Sequence, residues 1–264
     1  MTRTLTRTFL WLTAGLVAAF MLLPVLIVVP LSFSEKASFE FPPSGWSTRW
    51  YERFFSNSAW STSLTNSLLI GVVVSVVSVI IGTAAALGLR RLSTRYSALL
   101  RLTFLAPLII PGVVIAVGVY TLFLRSHLVG TYLGFVLAHT LMAFPFVVIS
   151  VSASLASFDD RLLDASASLG ASPITSFALI TLPAIAPGVA AGALIAFVTS
   201  FDEVLLSMFI QDPSLRTLPV QMYSTLIRDT DPTIAAASTL ILAVTTIGVT
   251  LVLTYAARKA KDAN

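Results

Sequence analysis

The chain has 264 residues, of which 56% are apolar and 11% charged, with a mean hydropathy of +0.92. That composition excludes an ordinary soluble domain and predicts a polytopic helical membrane protein. The absence of cysteine excludes disulfides, thiolate catalysis and cysteine-ligated metal, and the net charge of +4 requires no nucleic-acid partner.

A helix needs about 20 apolar residues to cross the hydrocarbon core. Six segments qualify, at about residues 9–31, 64–89, 99–124, 131–155, 185–210 and 235–257, so 1–264 reads as one transmembrane domain. A membrane β-barrel would show alternating strands of about ten residues instead. Arg3 and Arg7 precede the first run, whose roughly 23 apolar residues exceed the 7–15 of a signal-peptide core; no A-x-A-like site follows before Glu35. It reads as a retained span. The next stretch, 32–63, carries Phe39, Phe41, Trp46, Trp50, Tyr51 and Trp60, as expected of a headgroup-level belt or short surface helix. In the third span Pro107 and Pro111-Gly112 remove backbone donors and loosen the helix, either as a passive kink or as a hinge. His139 lies within the fourth span; an interhelical hydrogen bond is the expected role, with a ligand or proton relay as alternatives.

Between the fourth and fifth spans runs a polar segment, 157–183. Asp159, Asp160 and Arg161 open a short helix, where acids suit the positive end of the helix dipole. Gly170 can end it in the left-handed conformation. Ser172-Pro173 starts a second helix, serine as N-cap and proline at the first position, and Pro183 begins the next span. The expected product is a helix-turn-helix of about 25 residues, compact enough to enter a groove of another protein. Three acids against one arginine disfavour the alternative, an amphipathic loop lying on an anionic leaflet.

The fifth span carries Gly188 and Gly192 at G-x-x-x-G spacing, which lets helix backbones approach closely in lipid. Asp202 and Glu203 are the acids inside an expected span. At a helix centre each would cost about 2.5–3.5 kcal/mol, so neighbours or water must shelter them. At 1.5 Å per residue Asp202 stands about 26 Å along the helix from Ile185. Adjacent helical positions differ by about 100°, so the two carboxylates take different faces. One can line a pathway while the other meets a partner; a structural ion pair or a capped carboxylate is the alternative for each.

Basic residues set the orientation. Ten (Arg3, Arg7, Arg90, Arg91, Arg95, Arg101, Arg161, Arg258, Lys259, Lys261) fall on the side of the termini and six (Lys36, Arg49, Arg53, Arg125, Arg216, Arg228) on the other, so both termini are expected in the cytoplasm.

In the polar segment, Asp164-Ala165-Ser166, Gly170, Ile180, Leu182 and Pro183 reproduce the spacing E-A-A-x-x-x-G, nine residues, I-x-L-P. Five of its seven fixed positions match, with Asp164 for Glu and Ser166 for Ala. The segment thereby resembles the cytoplasmic coupling loop (EAA motif) of binding-protein-dependent ABC importer permeases. Asn66-Ser67-Leu68-Leu69, His139-Thr140, Pro145-Phe146-Val147-Val148, Phe201-Asp202-Glu203 and Thr217-Leu218-Pro219-Val220 are similar to the spermidine/putrescine-type subfamily.

The resemblance implies a six-helix type I permease fold in a bacterial inner membrane, importing a polyamine or related amino compound, with a phosphonate or organic anion as alternative substrate. It implies a second homologous permease, two copies of a cytoplasmic ABC ATPase and an extracytoplasmic solute-binding protein. Asp164, Ala165, Ser166, Gly170, Ser172 and Pro173 are the implied ATPase-coupling residues, and Asp202, Glu203 and His139 the substrate-path candidates. The chain contains no G-x-x-x-x-G-K-[ST], so Mg-ATP is expected on the partner and no cofactor here. A secondary transporter should show internal inverted repeats, and none is convincing. An intramembrane hydrolase would pair His139 with an activated serine, but Ser172 precedes proline and serves as an N-cap. No catalytic or metal site is therefore expected.

Overall fold

A computed structural model describes residues 2–229 and 231–262, apart from the side chains of 2–6, 249, 251–253 and 255–262. Arg3, Arg258, Lys259 and Lys261, four of the ten basic residues used for orientation, lie outside the described side chains. No strand occurs among the described residues. The chain divides into two compact units, 1–61 with 222–264, and 62–221.

In the first unit α1 (Thr2–Ser32) packs along α12 (Thr233–Asp262), whose start meets α2 (Arg49–Ser56). The side chains of α1 from Phe9 to Leu26 are largely exposed and apolar, as suits a surface solvated by lipid. Helix α2 buries Trp50 and Phe54; the Trp50 indole N–H donates to the Ser34 carbonyl at 2.6 Å, and the Arg49 guanidinium lies 4.1 Å over its ring. Asp231 accepts from the Thr233 amide (2.9 Å) and hydroxyl (2.6 Å), capping α12, and pairs with Arg53 at 3.4 Å.

The second unit holds most of α3 (Ser58–Arg91), then α4 (Thr94–Ile109), α5 (Gly112–Arg125), α6 (Tyr132–Ala156), α7 (Arg161–Ser168) and α8 (Pro173–Ser176). A π-helical turn (Phe177–Thr181) leads into α9 (Leu182–Phe201), followed by α10 (Leu205–Ile210) and the start of α11 (Leu218–Arg228). Its core joins Val74, Phe135, Val147, Val151, Ile185 and Ala196. Helices α6 and α9 make the most extensive contact. A Cβ on Gly188 would stand 2.7 Å from the Ser150 carbonyl oxygen and overlap Ser154 Oγ; one on Gly192 would stand 3.2 Å from Val147 Cα. The G-x-x-x-G spacing therefore marks a real backbone approach. Helix α3 joins through Gly82, where a Cβ would lie 2.8 Å from Val147, and through the Ser75 hydroxyl, which donates to the Ala193 carbonyl at 2.7 Å.

Four helical runs among the described residues are long and apolar enough to cross a membrane: Arg7–Ser32, Ser58–Arg91, Tyr132–Ala156 and Pro173–Phe201. The expected span 99–124 is not one helix. It breaks between α4 and α5 with a bend of 98°. Pro111 cannot donate, and Ile110 before it is forced to extended backbone (φ −73°, ψ 133°), so the helix ends there instead of merely kinking. The expected span 185–210 is shifted as well. Its helix already begins at Pro173 and stops at Phe201. Pro183 does not start it, because the chain absorbs this proline by widening the preceding turn: the Leu182 amide donates five residues back to Phe177, relieving the ring's clash with the turn before it. The last expected span falls on α12, whose described apolar part is Thr233–Gly248.

Gly188→Val should force α6 and α9 apart and destabilise the protein by about 1–3 kcal/mol. Thermal unfolding in detergent should show a midpoint several degrees lower, whereas Gly118→Val, at a site with nothing within 4 Å, should unfold near wild type. Equal midpoints for Gly188→Val and wild type would remove the close-packing account.

Candidate functional site: a clamped helix-turn-helix

Helices α7 and α8 form the expected helix-turn-helix. At its start the Asp159 carboxylate accepts from the Arg161 amide at 2.9 Å. At the turn Gly170 has φ +81°; its amide donates to Ala167 (2.9 Å) and the Ala171 amide to Ser166 (3.0 Å). That is a Schellman pair, and it needs a residue that tolerates positive φ. Ser172 Oγ then accepts from the Thr175 amide at 3.2 Å, with Pro173 opening α8.

Asp164, Ala165, Gly170, Ser172 and Pro173 are exposed, but Ser166 is buried and points inward. Its hydroxyl lies 2.8 Å from that of Ser176, so one donates to the other and the two helices are joined by a hydroxyl pair. The turn instead presents apolar side chains: Leu169 is 89% exposed and Ile174 81%.

Sequence reasoning missed the residue that ties this element to the membrane part. Arg90, in the last turn of α3, donates to the Phe158 carbonyl at 2.8 Å, pairs with Asp160 at 2.9 Å and lies 5.2 Å over the Phe158 ring. Arg90 and Asp160 are 70 positions apart in the sequence, so no local spacing signals the pair. Asp160 is spent on this ion pair and makes no side-chain cap to α7.

The substrate-path candidates gather at the end of α9, but not as expected. Asp202 is the residue after the last helical turn, and Glu203 lies in the break before α10. The two are therefore not neighbours on a continuous helix. Glu203 Oε1 accepts from the Leu206 amide at 2.9 Å, which makes it a cap for α10. Asp202 is exposed and makes no side-chain hydrogen bond or ion pair among the described residues. His139 is fully buried and bridges the break, Nδ1 2.9 Å from Ser200 Oγ on α9 and Nε2 2.9 Å from Ser207 Oγ on α10. A neutral imidazole donates through one nitrogen and accepts through the other, so both serines are satisfied. It touches neither carboxylate. The Gly130 amide donates to the Ile210 carbonyl at 2.8 Å and closes the far end of α10.

A third set of contacts explains why Asn66-Ser67 and Thr217-Leu218-Pro219 occur together. Asn66 Nδ2 donates to the Arg216 carbonyl (2.9 Å), its Oδ1 accepts from the Tyr132 hydroxyl (2.6 Å), and Ser67 Oγ accepts from the Leu218 amide (2.7 Å). In the adjoining loop the Ser214 hydroxyl and amide hold the Asp212 carboxyl below the usual carboxylate range.

Residues 78–262 match the family described as the binding-protein-dependent transport system inner membrane component. The chain belongs to that family. The spermidine/putrescine transport system permease protein PotC of Escherichia coli (strain K12) is 31% identical to this permease over 85% of the chain and 84% of its own length. The putrescine transport system permease protein PotI of the same strain is 32% identical over 84% and 82%. The putative 2-aminoethylphosphonate transport system permease protein PhnV of Salmonella typhimurium (strain LT2) is 29% identical over 88% and 89%. Among solved structures, a bacterial ABC transporter involved in the import of the acidic polysaccharide alginate superposes with a TM-score of 0.73, covering 96% of this chain and 97% of that one at 16% identity. It supports the shared fold only.

Arg90→Gln should release the clamp on the helix-turn-helix. Hydrogen exchange of the full chain in detergent should then rise about tenfold at the amides of 158–170, as expected for losing a charged hydrogen-bond pair, while α6 stays protected. Unchanged exchange over 158–170 would show that Arg90 does not hold this element.

Proposed function

We propose that this permease forms half of the channel of an ATP-driven importer for polyamines, paired with a second homologous permease. One of two copies of an ABC ATPase would dock on its helix-turn-helix, and an extracytoplasmic binding protein would deliver the solute. The observation that carries the docking reading is the apolar turn, Leu169 and Ile174, displayed on an element that Arg90 and the Ser166–Ser176 pair hold in shape. The family itself works through a binding protein at the inner membrane. Mg-ATP would sit on the partner, since this chain carries no phosphate-binding loop. Both termini and the helix-turn-helix would then be cytoplasmic, in agreement with the basic-residue count.

The substrate reading rests on the names of the relatives and on the environment of Asp202. Spermidine, putrescine and 2-aminoethylphosphonate all carry an ammonium group. With Glu203 occupied as a cap, Asp202 is the carboxylate free to meet a cation at the break between α9 and α10. A phosphonate is the second reading, supported by the similarity to PhnV over 88% of this chain.

Uptake of labelled putrescine by the reconstituted importer tests both parts. Gly170→Val should leave ATP hydrolysis running with uptake lost, because a β-branched residue resists positive φ and reshapes the docking turn. Normal uptake by that variant would refute the docking role. Asp202→Asn should weaken putrescine uptake about fivefold with assembly intact, an effect on the order of one charge–charge interaction in a water-filled site. Wild-type uptake by Asp202→Asn would remove Asp202 from the cation path, and absence of putrescine uptake by the wild-type importer would favour the aminophosphonate.

A further inference from the structure

Beside the clamp lies an open cavity of about 560 Å³, at the same end of the unit as the helix-turn-helix. It is walled by the last turn of α3 (Ala86, Leu89, Arg90), the first two turns of α4, and the last turns of α6 (Ser152, Leu155, Ala156). From α4 it takes Thr94, Ser97, Ala98 and Arg101, which at spacings of three and four residues share one face of that helix.

Apart from Arg90, the polar groups on this lining are unused among the described residues: Arg101 is exposed and has no ion pair or hydrogen bond there, and Thr94, Ser97 and Ser152 make no side-chain hydrogen bond. Ser152 Oγ is buried without a partner, at a cost that a polar occupant would remove. The first turn of α4 has no side-chain cap at Ser93. Among the described residues no acid lines the cavity; Asp160, which pairs with Arg90, is not part of its wall. Beyond the polar stripe, α4 exposes Leu99, Leu100 and Leu102.

We propose that this cavity binds the phosphate-bearing headgroup of an anionic phospholipid, with Arg101 as the principal charge and Thr94, Ser97 and Ser152 as hydrogen-bond donors. The choice of a lipid over a free anion follows from the exposed leucines beside the polar stripe, which acyl chains would cover while the phosphodiester lies against Arg101. Arg90 lines both this cavity and the clamp on Phe158 and Asp160, so an occupying phosphate sits next to the residue that holds the helix-turn-helix. Lipid composition would thereby bear on the stiffness of that element.

Native mass spectrometry of the assembled importer tests the site, with phosphatidylglycerol or phosphatidylcholine titrated into the detergent and subunit assembly read from the same spectra. Phosphatidylglycerol should bind more tightly than phosphatidylcholine. Arg101→Gln should weaken phosphatidylglycerol binding about fivefold, near the expectation for one basic residue at an anionic surface, and Arg101→Lys should recover most of it. Ser97→Ala, which removes a hydroxyl and no charge, should cost about twofold to threefold. Arg95→Gln removes the same charge from the same helix but outside the cavity, and should change binding less than twofold. Equal binding of the two lipids, or equal losses at Arg95 and Arg101, would overturn the site. Displacement of phosphatidylglycerol by tens of millimolar inorganic phosphate would overturn the lipid assignment in favour of a free anion.

Discussion

The close approach of α6 to α9 is the contact on which the rest of the second unit depends. In lipid, apolar side chains gain little by meeting each other, so helices associate through dispersion and hydrogen bonds that require their backbones to come near. Gly188 and Gly192 remove the side chains that would prevent it. Helix α6 leads into the helix-turn-helix and α9 leads out, so this contact sets the distance between the ends of the loop. It also places His139 of α6 opposite Ser200 of α9, within reach of α10. Because α8, the π turn and α9 are one uninterrupted helical run, a force on Ile174 acts directly on α9.

Two helices break within this unit, at Pro111 and after Phe201, and each break exposes backbone groups that lipid cannot satisfy. Around α10 the repair is direct. Glu203 and the Gly130 amide take the two ends of α10, and the His139 imidazole ties it to α9 through two serines. Breaks held in this way can keep a carboxylate such as Asp202 at the end of a helix without an ion pair. The two breaks also meet: a Cβ on Gly112, beside Pro111, would lie 3.1 Å from the Leu205 side chain, and α5 packs on α10.

Arg90 shows how much one planar cation can organise. A guanidinium donates in several directions while its face lies on an aromatic ring, which a lysine ammonium does not reproduce. Here it reads a carbonyl, a carboxylate and the Phe158 ring together, at the junction of α3 with the loop after α6. The hydroxyl pair Ser166–Ser176 does the matching work within the loop, at the position where the family pattern carries alanine.

Much of this protein follows from its sequence because the controlling physics is local. Composition and run length decide a helical membrane protein, since every backbone group in lipid must bond within its own helix. The turn at Gly170, the cap at Ser172 and the start of α8 at Pro173 are equally legible, each being a property of one residue and its nearest neighbours. Glycines at 188 and 192 announce close packing, though not the helix they pack against. What only the tertiary structure decided involves partners distant in sequence or competition between local preferences. Whether a proline is carried inside a helix, ends it or widens one of its turns differs between Pro145, Pro111 and Pro183, and depends on what else can satisfy the freed carbonyls. The same holds for the two acids. Adjacent in sequence, Asp202 and Glu203 are separated in role by where the helix ends, which is set by how α10 packs on α5 and α6, and no pattern along the chain records that contact.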